Sequence, residues 1–157
     1  MQAYYRAWEL TDTGRDADAI PLLNTAIGIR PNFPEALMAR GRILYLHLHQ
    51  TGEAIDDFST VIRLDPQHEW AYYSRGECYA LLEQYDLALA DYDRALQLNP
   101  TNHFALAGRG IVFLKQKNYP KAIADFTEAI RINALGFGLS QAQRGEGSYR
   151  GCLGSEG

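Results

Sequence analysis

The dipeptide Arg-Gly recurs along this chain at an almost constant interval. It begins at positions 40, 75, 109 and 144, so the gaps are 35, 34 and 35 residues. An alanine followed four residues later by a large apolar or aromatic residue has the same period, starting at positions 19, 54, 88 and 122. Proline recurs at positions 31, 66 and 100. Self-similarity at such a period is the mark of a repeat protein whose units are stable only against their neighbours. The sequence therefore predicts a solenoid.

Each period is predicted to fold into two amphipathic helices joined by a turn. In the third period, apolar residues recur at helical spacing at positions 87, 88, 92, 95 and 96. Second helices are expected to end before Pro66 and Pro100, because the residue before a proline is pushed out of the helical region. The recurrent glycine and alanine let two helices approach to about 8–10 Å. Tyr92 is predicted to fill the core beside them, and Cys78 to be a small buried residue.

These residues resemble the tetratricopeptide repeat family. Its pattern is a glycine three residues before an aromatic, then Ala-x-x-x-Phe, a second small residue and a proline. The third period matches it with Gly76, Tyr79, Ala88, Tyr92, Ala95 and Pro100. The resemblance covers four units, at about 1–33, 34–68, 69–102 and 103–134. It implies an all-α, right-handed α-α superhelix of four helix-turn-helix repeats.

The segment 135–157 departs from the repeat pattern and holds seven of the fourteen glycines. Residues 142–146, Ala-Gln-Arg-Gly-Glu, still resemble residues 73–77, Tyr-Ser-Arg-Gly-Glu, in phase with the repeats. We therefore predict a degenerate fifth first helix over 135–147, acting as a cap on the fourth unit. Residues 148–157 are predicted to be disordered.

The resemblance also indicates where function lies, since the first helix of each pair lines the concave face in this family. The exposed positions of these helices are occupied by Tyr4, Trp8, Met38, Arg42, Tyr45, Trp70, Tyr73, Glu77, Phe104, Ala107 and Ile111. Trp, Tyr and Arg dominate binding hot spots. We expect this groove to bind a peptide or helix of a protein partner. For Trp70 and Phe104, packing against the preceding unit is the alternative.

A subset of the family clamps the acidic C-terminal tails of chaperones with Lys and Asn on the first helices. The corresponding positions here carry Trp8, Arg42, Glu77 and Ile111. Because the clamp residues are missing, chaperone C-terminal tails are disfavoured as partners.

Composition and motifs exclude several other classes of function. The net charge of −4 argues against nucleic acid. No stretch approaches the roughly 18 apolar residues that span a membrane, and the N-terminus has no secretory signal, so a cytoplasmic protein is expected. His47 and His49 face different ways on a helix, and neither a phosphate-binding glycine loop nor a nucleophile elbow occurs. We predict no enzymatic activity, no metal and no cofactor.

Three alternatives to peptide binding stay open. The chain could be a scaffold that self-associates into a homo-oligomer through uncapped ends, or a regulatory segment of a larger protein. An RNA-binding repeat is the third, and it would need a basic concave face.

The arginine before each glycine suggests ion pairs between neighbouring repeats. Aspartates recur with the same period at positions 57, 91 and 125. We predict that Arg75 meets Asp57, Arg109 meets Asp91 and Arg144 meets Asp125, with Arg40 opposite Leu22 and without a partner. Such a ladder would set the register between repeats. A row of arginines for phosphate is the weaker alternative, because aspartates accompany it.

Overall fold

The fold is described by a computed structural model that covers residues 2–12 and 14–149, with side chains for 2–11 and 14–134. Eight helices and no strand occur in this part of the chain. Their bounds are α1 Gln2–Asp12, α2 Asp16–Ile29, α3 Pro34–Leu46, α4 Thr51–Leu64, α5 Glu69–Leu81, α6 Tyr85–Leu98, α7 His103–Lys115 and α8 Tyr119–Tyr149. The all-α prediction is confirmed.

The helices pair as antiparallel hairpins within two compact units. The first unit ends at Pro100 and the second begins at Thr101. In the first unit α1 packs on α2, α3 on α4 and α5 on α6, and the second helix of one hairpin also packs on the first helix of the next. In the second unit α7 packs on α8.

In three of the four hairpins, those of α3–α4, α5–α6 and α7–α8, the two helices touch where a glycine backbone meets an aromatic ring. A Cβ added to Gly41 would lie 2.8 Å from Cε1 of Phe58, and one added to Gly110 would lie 2.9 Å from Cε1 of Phe126. The same atom on Gly76 would lie 3.0 Å from Cε1 of Tyr92. Because real Cβ atoms essentially never come nearer than about 3 Å, Gly41 and Gly110 are required for the observed crossings, and the contact at Gly76 is only slightly less tight.

Buried apolar residues, several of them small, pack between the hairpins of the first unit. Ala19, Leu23 and Ala26 of α2 form one buried cluster with Ala36 and Ile43 of α3. Cys78 of α5 is fully buried beside Phe58 and Ala54 of α4, and burial raises the pKa of its thiol to about 12. The prediction that Cys78 is a small core residue is confirmed.

Proline ends the second helices, as the sequence predicts. Asp65 and Asn99, which precede Pro66 and Pro100, are both extended and follow directly on the last residues of α4 and α6. Ala134 stands at the corresponding place in α8, which runs on without a turn to Tyr149. The side chains of 135–149 and all of 150–157 lie outside the described residues, so the capping role of 135–147 and the disorder of 148–157 stay predictions.

The glycine–aromatic crossing can be tested with two substitutions in one unit. Gly41→Ala forces a methyl group against the buried ring of Phe58, so we expect the protein to lose about 1–3 kcal/mol of unfolding free energy. Gly28→Ala, inside α2, meets nothing within 4 Å and should stabilise the protein by about 0.5–1 kcal/mol. Urea unfolding measures both. Equal effects of the two substitutions would contradict the crossing.

Candidate functional site

The first unit brings two of the predicted groove helices side by side. Helices α3 and α5 are in contact, and the predicted site residues on them are Met38, Arg42, Tyr45, Trp70, Tyr73 and Glu77. We call the surface that these six residues form the α3–α5 face. Arg42 and Trp70 are exposed, whereas the other four are partly buried.

The other predicted site residues lie apart from this face. Tyr4 packs on Phe33, with ring centroids 4.8 Å apart, and joins the cluster between α2 and α3. Trp8 keeps 59% of its surface exposed on α1. Phe104 and Ile111 are about half exposed on α7, in the second unit.

A carboxylate surrounded by phenols lies at the centre of the α3–α5 face. Tyr92 Oη donates a hydrogen bond of 2.5 Å to Glu77 Oε1, and the Tyr45 hydroxyl makes a second, weaker interaction with the same carboxylate. The Tyr73 ring lies 6.3 Å from that of Tyr92 and 5.7 Å, edge to face, from that of Trp70. We call Tyr45, Tyr73, Glu77 and Tyr92 the Glu77 cluster.

Burial controls the ionisation of this cluster. Desolvation raises the pKa of Glu77, and the hydrogen bonds from Tyr92 and Tyr45 offset part of that rise. Burial, with the charge of Glu77 as a second cause, raises the pKa of Tyr45 to about 12 and also raises the pKa values of Tyr73 and Tyr92. The three phenols therefore stay protonated and remain donors throughout the physiological range.

Tyr92 is a site residue that sequence reasoning assigned only to the core. Its ring does fill the core against Gly76, but its hydroxyl reaches Glu77. The equivalent residues of the other repeats, Leu23, Phe58 and Phe126, carry no hydroxyl. The signal in the sequence was a tyrosine and a glutamate that depart from the repeat pattern in the same unit.

The arginines before the glycines pair within their own repeats, and the predicted ladder between repeats is wrong. Arg75 Nε and Nη2 each donate a 2.8 Å hydrogen bond to Asp91, not to Asp57. Arg109 binds Asp125 in the same way at 2.8 and 2.7 Å, rather than Asp91. The side chain of Arg144, the partner predicted for Asp125, lies outside the described residues.

Arg40 does have a partner, contrary to the prediction. It donates to both carboxylate oxygens of Asp57, at 2.8 and 2.6 Å. The reason for these pairings is the glycine beside each arginine, because the close crossing of the two helices brings the guanidinium within reach of the facing aspartate.

Two of these arginines also donate a single hydrogen bond each to the preceding repeat. Arg40 Nη1 donates to Asn24 Oδ1 at 2.7 Å, and Arg75 Nη1 donates to Ser59 Oγ at 3.0 Å. Each of these two arginines thus ties its own hairpin together and also contacts the second helix of the hairpin before it. Because aspartates already bind the guanidinium groups, the phosphate-binding alternative receives no support.

The Arg75–Asp91 pair should contribute to stability because little of it meets solvent. Its side chains are 20% and 8% exposed. Asp91→Ala leaves the guanidinium without its carboxylate and should cost about 3 kcal/mol of unfolding free energy. Arg15→Gln removes the exposed pair between Arg15 and Asp18 and should cost less than about 1 kcal/mol. Chemical denaturation compares the two, and similar losses would contradict this interpretation.

Other kinds of site find no support in the described part of the chain. No group of three or more His, Cys, Asp or Glu there is arranged to hold a metal ion. None of the helices in this part of the chain combines the length and apolarity that a membrane crossing requires. A cavity of about 370 Å³ opens beside Arg40, but Asp57 and Asn24 already bind that arginine.

The raised pKa of Glu77 predicts a specific dependence of stability on pH. Because folding raises this pKa above its ordinary value of 4.5, the folded state holds the proton more tightly, and that stabilisation is lost as pH rises through the folded pKa. Urea unfolding between about pH 4 and pH 7 should therefore show wild type losing stability relative to Glu77→Gln as pH increases. Parallel curves, or the opposite slope, would refute this.

Comparisons with known proteins agree with the helical hairpins. Family models described as tetratricopeptide repeat match residues 4–69, 69–102 and 103–134. A crystal structure of MamA has a TM-score of 0.79 at 21% identity, over 85% of this chain and 78% of that one. The structure of MamA 41-end from Desulfovibrio magneticus RS-1 has a TM-score of 0.77 at 22% identity, over 84% and 74%. Identities this low show similarity of fold alone. No curated protein matches the chain in sequence.

Proposed function

Because the chain belongs to the tetratricopeptide repeat family, a fold of protein–protein interaction modules, we propose that it binds a peptide or helical segment of a protein partner. The α3–α5 face is the proposed centre of binding. Tyr4, Trp8, Phe104 and Ile111 remain predicted partner-binding residues outside this face. A cytoplasmic location also stays a prediction.

The observation that supports this proposal most directly is an aromatic surface that is not fully buried in the core. Trp70 keeps 42% of its surface exposed, although it contacts Tyr73 edge to face. Arg42 is exposed on the neighbouring helix. Trp, Tyr and Arg in this combination are the residue types that supply most of the affinity in protein interfaces.

The face is also organised before any partner arrives. Tyr45 packs against the Leu44 and Phe58 cluster, while Tyr92 of α6 donates a hydrogen bond to Glu77. Side chains fixed in this way lose little conformational entropy on binding, so more of the contact energy appears as affinity.

A second candidate function is self-association, and exposed apolar residues on α8 favour it. Ile123 and Ile130 are 64% and 69% exposed. Their counterparts in the first unit, Ile20 with Ile27 and Ile55 with Ile62, are partly buried against neighbouring clusters. A second copy of the chain that covers Ile123 and Ile130 would bury them to an extent similar to that of their counterparts in the first unit.

Peptides selected on the wild-type protein from a displayed random library test the α3–α5 face. Replacing Arg42 and Tyr73 together by Ala should weaken the selected peptides roughly thirtyfold or more in calorimetry, because each is a hot-spot residue type. The matched control replaces Arg63 and Tyr119, which are exposed on second helices, by Ala and should leave affinity within about twofold.

Equal losses in the two double variants would place binding elsewhere and refute the α3–α5 face. Light scattering over a range of concentrations on the same proteins distinguishes self-association from peptide binding. An oligomer that survives the Arg42 and Tyr73 substitutions but dissociates in Ile123→Gln would favour self-association.

A further inference from the structure

Glu77 is a partly buried carboxylate, and no cationic side chain among the described residues forms an ion pair with it. Among the described residues its contacts are the phenols of Tyr92 and Tyr45, and none of the ion pairs there includes it. Arg42 lies close enough to influence Tyr73 electrostatically, but it forms no ion pair with Glu77. A negative charge is therefore removed from much of its water without an opposite charge in exchange.

The core does not require this charge. The equivalent repeats place Phe58 against Gly41 and Phe126 against Gly110 with no hydroxyl, and the residues equivalent to Glu77 there are Arg42 and Ile111. A glutamine could accept the same hydrogen bond from Tyr92 without the desolvation cost of an ionised group. A purely structural role thus explains an acceptor at position 77 but not a carboxylate.

The surroundings of Glu77 are suited to a cation. An ionised carboxylate has about four acceptor positions, and Tyr92 occupies one of them, with Tyr45 as a weaker neighbour. Glu77 keeps part of its surface exposed on the same face as Trp70 and Tyr73. The π faces of aromatic rings attract ammonium and guanidinium groups, and the attraction is larger where water is excluded.

We propose that the Glu77 cluster is a binding site for a cationic side chain, Lys or Arg, of the partner. This inference rests on the proposed function, since it assumes that the partner lies on the α3–α5 face. The apolar stem of the partner's side chain would pack along Trp70 and Tyr73, and its charged end would donate to the open acceptor positions of Glu77. The site would select for a basic residue at one position of the bound segment.

The test uses the peptides selected on wild-type protein and a double-mutant cycle. The Lys or Arg that the selection enriches is replaced by norleucine, which keeps the apolar stem and removes the charge. We expect this change to weaken binding to wild type at least about tenfold, and to weaken binding to Glu77→Gln by less than about threefold. Glu53→Gln, at an exposed position of α4, is the matched control and should behave as wild type does.

The outcomes separate this inference from the proposed function. Equal losses in wild type and Glu77→Gln, or selected peptides without a basic residue, would overturn the cation site and leave the α3–α5 face standing. Peptides that lose no affinity when Arg42 and Tyr73 are replaced by Ala would overturn both, and so would a library that yields no binder.

A measurement on wild type alone keeps the inference testable if Glu77→Gln does not fold. The ratio of Lys-peptide to norleucine-peptide affinity should fall at least about threefold between pH 7 and pH 4.5, because protonation of Glu77 removes its charge. The phenols that face Glu77, namely Tyr45, Tyr73 and Tyr92, keep their protons over this range, and Arg42 is the charged side chain nearby. A ratio that does not change with pH would overturn the proposal.

Discussion

The contact of a glycine backbone with an aromatic ring is the constraint on which the rest of the second, third and fourth hairpins depends. It brings two helices so close that any side chain at Gly41 or Gly110 would overlap the facing phenylalanine. The adjacent arginine can then reach the aspartate of the facing helix with two hydrogen bonds. Steric fit and charge pairing are therefore one feature of the repeat, because the second is possible only where the first holds.

The third repeat uses the same crossing for a second purpose. Tyr92 occupies the place of Phe58 and Phe126 in the core, and its ring meets Gly76 as theirs meet Gly41 and Gly110. Its hydroxyl extends from that core to Glu77 on the surface where we propose binding. Under the proposed function, stability and recognition are coupled at this point, since the ring that closes the hairpin also orients the carboxylate. A residue of this kind belongs to the core and to the candidate site at once.

Periodicity predicted the fold well, because spacing along the chain determines which residues share a helix face. The helices, the burial of Cys78 and the ends of α4 and α6 before proline all follow from local rules. The partners of the arginines did not follow. Asp57 and Asp91 have the same period, so spacing alone cannot distinguish a partner in the same repeat from one in the neighbouring repeat. The direction of the arginine side chain in the folded structure determines its partner. The side chain extends across the glycine to the aspartate of its own hairpin.

Positions at which the repeats differ distinguish one hairpin from the next, and the positions that they share do not. Residues kept in phase, such as the glycines and the arginine–aspartate pairs, serve packing that the second, third and fourth hairpins share. The position of Glu77 holds Trp8, Arg42 and Ile111 in the other repeats, so consecutive first helices differ there in size and charge. On the α3–α5 face, Arg42 of α3 and Glu77 of α5 therefore carry opposite charges, although they form no ion pair with each other. A partner that complements both must present an acidic and a basic residue in a fixed order, and that order would set the direction in which it lies across the two helices.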